Sequence, residues 1–281
     1  MAAFPAPRPM ASQWHNFLRN LGEWHGSFTS MDREGAIIDT TPSILSLEQV
    51  SGGDGADGTE RLVRFRLRRY ANGLDQPPSR DVVQDYRTLG RQVVFFDSGC
   101  FAKGSLQVAP ATPFGAEFGF VVADRRHRLV QLFDAAGAVD GLVLIREFRS
   151  GSAATERPAL TSEQLIGDWH GQASTLSADW PEIETAPCSV RIDSTAAGEL
   201  QLHTRIGEAA DWRSPQPAVL RLLPDGGFSL VPPQVSHRAA FSVEAGWLSA
   251  PGRLERLIRC YDASGAWQSA SHLVLGRRDQ P

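Results

Sequence analysis

One hexapeptide occurs twice in this chain. Leu21-Gly22-Glu23-Trp24-His25-Gly26 returns as Ile166-Gly167-Asp168-Trp169-His170-Gly171, with an acidic residue, a tryptophan, a histidine and two glycines in the same places. The offset is about one domain long, so the 281 residues read as two related halves. Each copy follows a short helix-like stretch: Ser12 to Leu18 puts Trp14, Phe17, Leu18 and Leu21 on one face, and Thr161 to Leu165 repeats this in abbreviated form. Each half also ends alike, in Leu142-Val143-Leu144-Ile145-Arg146 and in Leu273-Val274-Leu275-Gly276-Arg277. Between them, 150–158 is small, polar and closed by Pro158, which marks a linker and sets the expected domains at 1–150 and 158–281.

Inside each half the apolar residues alternate with period two between turn residues, and helices are nearly absent. The first half predicts strands near 23–31, 42–50, 60–70, 82–89, 92–98, 101–108, 116–123, 127–134 and 139–148. The second predicts them near 168–176, 187–194, 199–206, 217–223, 227–231, 239–249, 253–262 and 267–277. Eight or nine short strands per half, without crossover helices, imply an all-β chain of two tandem antiparallel up-and-down β-barrels, each with a short N-terminal helix; a β-sandwich is the competing architecture. In Arg61 to Arg68, Val63, Phe65 and Leu67 share one face and Arg64, Arg66 and Arg68 the other. That arginine row is either an anion-binding stripe or the solvated outer face of an amphipathic strand.

Charge excludes one class of function. The 28 basic and 32 acidic residues divide as 17 and 17 over 1–150, leaving 11 and 15 for 151–281, so neither half is electropositive and a nucleic-acid partner is not expected. Cys100, Cys188 and Cys260 are far apart, which excludes a zinc ribbon or a disulfide framework and fits a reducing compartment. Met1 to Met10 holds no apolar run long enough for a signal peptide or membrane helix, so the expected location is cytoplasmic, without membrane insertion. Lys103 is the one lysine, beside Gly104 in what reads as a solvated loop, so a Schiff-base mechanism has no second candidate.

Gly22-Glu23-Trp24 with Arg146, and Gly167-Asp168-Trp169 with Arg277, resemble the calycin (lipocalin-like) superfamily, whose hallmark is Gly-x-Trp on the first strand and an arginine on the last packed across the indole. The resemblance implies that Trp24 and Trp169 plug the barrel ends beneath Arg146 and Arg277. Gln13 to Phe28 is similar to the start of an uncharacterised two-domain calycin family found chiefly in cyanobacteria, and the likeness extends over the second half, including Arg256 to Tyr261. More distant relatives with this barrel include the S-type phycobiliprotein lyases, which carry open-chain bilins, and nitrobindin, which carries haem.

These likenesses imply a binding protein for a hydrophobic small molecule, such as a tetrapyrrole or other pigment, held in a barrel cavity. A bilin lyase or isomerase acting on a phycobiliprotein is the enzymatic alternative, and a ligand-free partner-binding module is the third. Ser271 to Arg277 resembles the last strand of nitrobindin, where a histidine ligates haem, so His272 is read as an axial ligand or else as a core histidine bonded to a neighbouring carbonyl; the matching first-half position is read as Gly141. Five second-half tryptophans could wall a macrocycle. For a bilin, Glu255, Arg259 and Tyr261 share a face with Leu257, either as a buried pair over a ligand or, the reading preferred from the sequence, with Glu255 and Arg259 as a surface ion pair. Cys260 points the other way. His25 and His170 alternate outward from the tryptophans and lack any metal-ligand spacing. No phosphate loop, Ser-His-Asp order or paired-carboxylate spacing occurs, so no catalytic residues are assigned.

Overall fold

The computed structural model describes residues 12–50, 61–179, 182–208 and 215–277; Met1 to Met10 and two of the five second-half tryptophans, Trp180 and Trp212, lie outside them. Helix α1 (Gln13–Leu18) precedes β1 (Gly22–Met31), β2 (Ile37–Gln49), β3 (Val63–Arg69), β4 (Arg80–Tyr86), β5 (Val93–Phe95), β6 (Phe101–Gly104), β7 (Phe114–Val122), β8 (Arg125–Phe133) and β9 (Val139–Arg149). Helix α2 (Ser162–Leu165) precedes β10 (Gly167–Ser177), β11 (Ile183–Ser194), β12 (Leu200–Ile206), β13 (Val219–Leu222), β14 (Gly227–Val231), β15 (Phe241–Ala250), β16 (Arg253–Tyr261) and β17 (Trp267–Arg277). The strands form two antiparallel sheets of nine and eight, ordered β4-β3-β2-β1-β9-β8-β7-β6-β5 and β12-β11-β10-β17-β16-β15-β14-β13. Each sheet brings its first strand against its last and curls into a half-barrel, an architecture consistent with two tandem calycin-like barrels. The ladders stay open between β4 and β5 and between β12 and β13.

The repeated hexapeptide is explained by this closure. Gly22 and Gly167 sit at φ +124° and +133°, where a side chain is strained, and a Cβ on Gly26 or Gly171 would lie 1.9 Å from the Arg146 or Val274 carbonyl oxygen. Trp24 and Trp169 are fully buried, and each indole Nε1 donates to the chain just before its strand: to Asn20 O at 3.0 Å and to Leu165 O at 2.8 Å. The leading helices therefore anchor the plugs. The Ser12 hydroxyl caps α1, and a Thr161/Gln164 capping box starts α2.

One arginine must be reassigned. Arg277 lies 5.3 Å from the Trp169 ring centroid and donates to Ile166 O, as the hallmark requires, but over Trp24 the nearer guanidinium is that of Arg149, at 4.4 Å, which also donates to Leu21 O, with Arg126 at 5.7 Å. The register shows why: Trp24 pairs with Arg149 as Trp169 pairs with Arg277, whereas Arg146 falls opposite Ser27. Arg146 instead reaches Thr29 Oγ1 at 2.6 Å and Glu156 of the linker. Arg149→Ala should cost about 0.5–1 kcal/mol and change the near-ultraviolet circular dichroism of Trp24, while Arg146→Ala leaves that signal intact. The same register puts Leu144, not Gly141, at the first-half counterpart of His272, because Thr29 pairs with Leu144 as Ser174 pairs with His272.

The halves do not bury their apolar surface separately. Phe96, Phe114, Phe118 and Phe120 share one apolar cluster with Val243, Trp247, Leu257 and Tyr261, whereas Trp169, Phe228, Leu254 and Leu273 fill the second half's own interior. Outer faces of β6 to β9 thus meet outer faces of β14 to β17. Polar groups stitch the seam: Asp225 accepts from Arg125, His127 Nδ1 lies 3.1 Å from its carboxylate, the Arg157 N–H donates to it, and its carbonyl receives Trp247 Nε1 at 2.8 Å. Arg259 Nη1 donates to Ala102 O at 3.2 Å, and Tyr261 Oη to Ser105 O at 2.9 Å.

Candidate functional site

Period two on β7 and β8 sends two sets of side chains in opposite directions. Phe118, Phe120 and Leu129 go to the seam, and Glu117, Arg126 and Arg128 go into the first half-barrel. There a cavity of about 220 Å³ opens near the gap between β4 and β5, walled by Phe17, Leu47, Phe65, Tyr86, Phe95 and Phe101. Its charged end is asymmetric. Arg128 is saturated, with two bonds to Glu147 at 2.9 and 3.0 Å and one to Glu117 at 2.8 Å. Arg126 is fully buried, 3.5 Å from Glu147, and its Nε and Nη1 have no hydrogen-bond partner. Burial pushes the Arg126 pKa down to about 10 against the pull of Glu147. Burial also opposes charge on Arg128, but Glu147 and Glu117 outweigh it and raise its pKa. Asn20 lines the same space, and its Oδ1 is unpartnered too. A second cavity, of about 230 Å³, shares Leu89, Gly90 and Val93 as a common wall and reaches Leu176 and Trp267 of the second half. A larger groove of about 450 Å³ lies on the outer face of β10 to β12 between Asp168, His170, Arg191 and His203, with Trp169 and Val190 also in its lining.

The residues expected around a second-half ligand lie elsewhere. Glu255, Arg259, Tyr261 and His272 do share one side of the sheet, but it is the side packed against the first half, because Leu254, Ile258, Leu273 and Leu275 take the interior phase. Glu255 and Arg259 are both fully buried, which overturns the surface ion pair, and they bond to other groups than each other. Arg259 Nε donates to Tyr261 Oη at 3.1 Å, while Glu255 Oε2 lies 3.1 Å from His272 Nε2 and Arg253 Nε donates to Oε1 at 3.0 Å. Burial works against the charge of both partners, yet Glu255 and Cys100 push the His272 pKa up to about 10, and His272 with Arg253 pulls Glu255 below its ordinary range. Phe96 packs at 5.4 Å from the His272 ring. The space an axial ligand would need inside the second barrel is on the opposite side of the sheet.

The arginine row is neutralised from the neighbouring strand: Arg64 pairs bidentately with Asp85, Arg66 with Asp81, and Arg68 reaches Glu23 at 3.4 Å. It is an outer face. His25 is exposed and bonds Glu23 at 2.7 Å, and His170 is exposed as well. Lys103 lines the first-half cavity, 3.9 Å from Glu117.

The structure of a protein from Nostoc punctiforme, described as a protein with unknown function from the DUF3598 family, matches with a TM-score of 0.84 at 35% identity, covering 96% of this chain and 100% of that one. The N-terminal DUF3598 family model, described as a domain of unknown function, matches residues 10–152. This chain belongs to the DUF3598 family. In its second half, residues 156–214 and 211–278 match the C-terminal domain model of "Biogenesis factor required for ATP synthase 1". The S-type phycobiliprotein lyase CPES from Guillardia theta is similar at 10% identity over 94% of this chain and 92% of that one, but with a TM-score of 0.18 it carries no argument. The same holds for a transferrin binding protein B mutant from Haemophilus parasuis, at 11% identity over 92% of this chain and 67% of that one, with a TM-score of 0.28. No curated protein matches. Among the described residues, no helix of this DUF3598 protein is long and apolar enough to cross a membrane.

Proposed function

We propose that this DUF3598 protein is a binding protein for a small amphipathic acid, with an aromatic or aliphatic body, held in the first half-barrel. One observation carries this: Arg126, buried at the end of an aromatic-walled cavity, leaves its Nε without a hydrogen-bond partner and its Nη1 with only the Glu147 carboxylate at 3.5 Å. A buried donor without a partner costs about 1–3 kcal/mol, and a carboxylate arriving along the apolar walls would satisfy it. Arg126, Arg128 and Lys103 together face only Glu117 and Glu147, which leaves a positive charge at this end of the cavity for a ligand anion. The cavity is smaller than the roughly 300–1,000 Å³ usual for drug-sized ligands, so it takes one ring system or a short chain rather than a haem. The pigment version of this reading, with a bilin propionate on Arg126 and a phycobiliprotein as recipient, draws on the sequence resemblance. It would require the shared wall at 89–93 to move so that the rings reach the second cavity.

The test is a calorimetric titration of the full chain with 1-naphthoate and, as the neutral body, 1-naphthalenemethanol. Arg126→Met should weaken naphthoate at least about tenfold, as expected for one charge-assisted hydrogen bond, and leave the alcohol nearly unchanged. Equal losses for both, or no naphthoate binding to the unsubstituted protein, would remove the basis for the proposal. Biliverdin and hemin in the same titration separate the pigment version from the general one.

A second reading has its own support, the match of 156–278 to a family described as a biogenesis factor. Carried to this chain, it makes the second half a partner-binding scaffold for assembly. Retention of ATP synthase subunits by the immobilised protein, unaffected by Arg126→Met, would favour that reading.

A further inference from the structure

Cys100 has no role in the acid-binding reading, yet it sits at the centre of the seam. It lies in the turn before β6 in the first half, and the second half presents Glu255 of β16 and His272 of β17 to it. All three are buried: Cys100 and Glu255 at 0% exposure and His272 at 4%. Their ligand atoms converge. Cys100 Sγ is 3.7 Å from Glu255 Oε2, His272 Nε2 is 3.1 Å from the same oxygen, and all three lie within 4.8 Å of one another. A tetrahedral zinc ion, with bonds of about 2.0–2.3 Å, needs its ligand atoms about 3.3–3.6 Å apart.

We infer that Cys100, Glu255 and His272 form a buried zinc site that joins the two halves of the protein. The donor set is one thiolate, one imidazole and one carboxylate, a combination suited to zinc rather than to magnesium or calcium, which take oxygen ligands. The surroundings are those of a metal site. Arg253 Nε holds Glu255 Oε1 and leaves Oε2 facing the sulfur and the imidazole, and the Val121 N–H points at Sγ from 3.3 Å. Because the ligands come from both halves, the ion would bind only once the seam has formed, and its binding energy becomes folding energy.

The inference does not depend on Arg126 or the cavity ligand, and the test is separate. The full chain is unfolded in guanidinium chloride with a thiol reductant, refolded with zinc or cobalt(II) chloride, and freed of excess metal by gel filtration. One metal per chain, tetrahedral cobalt bands in the visible, a sulfur-to-cobalt charge-transfer band and a raised melting temperature are expected. Cys100→Ser should lose the charge-transfer band, and His272→Ala should lose the stoichiometric ion. Arg253 is half-exposed, so Arg253→Ala probes the site without opening the core; it should keep one site while weakening it by about 10–100-fold. A chain that refolds to the compact form without retaining metal overturns the inference, as does a cobalt spectrum unchanged by Cys100→Ser. Wild-type affinity in Arg253→Ala would put the ion elsewhere.

Discussion

Trp24→Ala and Trp169→Ala should each destabilise the protein by about 3–5 kcal/mol in urea unfolding. Both indoles are fully buried, and each substitution deletes the plug of its own half-barrel together with the bond to Asn20 O or Leu165 O. The loss should therefore exceed that from the covering arginines several-fold. Trp→Phe separates the contributions: it keeps most of the volume, drops the Nε1 donor, and should cost clearly less than alanine. Because Phe118, Phe120, Trp247 and Leu257 belong to one cluster across the seam, a loosened half should pull its partner with it, giving a single unfolding transition in either variant. Near-neutral alanine variants would mean that the repeated hexapeptide does not close the sheets.

The fold was largely legible because strand alternation is a local property. The seventeen strands among the described residues fall where period two places them, most within a few residues of their expected ends, and both leading helices precede a Gly-x-Trp strand. What sequence reasoning missed depends on which side of a sheet is covered. Phase was right on β16, where Glu255, Leu257, Arg259 and Tyr261 do align, but the covering layer is the other half of the chain. A signal was present on β15: Phe241, Val243, Ala245 and Trp247 alternate with Ser242, Glu244, Gly246 and Leu248, and all eight are buried, as in a strand packed on both sides. The charged Arg125-Arg126-His127-Arg128 run is enclosed, because Asp225, Glu117 and Glu147 arrive from other strands and loops to meet it. Only pairing β8 with β7 and β9 would have revealed that. Matching the apolar run at the end of the last strand points to Arg146, whereas the stacking depends on register against β1, which brings Arg149 over Trp24. Cys100 carried no spacing signal at all, since its neighbours in space are 155 and 172 positions away.

Inside the second half-barrel lies a charged pair shielded from solvent. Arg256 and Glu244 are buried at 0% and 1% exposure; Arg256 Nη2 donates to Glu244 Oε2 at 2.5 Å and Nη1 to Thr204 Oγ1 at 2.7 Å. Glu244 Oε1 and Arg256 Nε remain unpartnered, and burial pushes the Glu244 carboxyl up against the pull of Arg256. Such a pair gains little over apolar side chains of the same volume, but losing one member strands the other in a dry interior. Glu244→Ala and Arg256→Ala should thus each cost about 3–5 kcal/mol, whereas Glu244→Leu with Arg256→Met should come back to near wild-type stability or exceed it. The sign of the coupling decides the matter. Additive losses in the double variant would mean that water reaches the pair and that the second half-barrel is as open as the first; recovery would mean a filled interior, leaving the first half-barrel with the cavity available to a ligand.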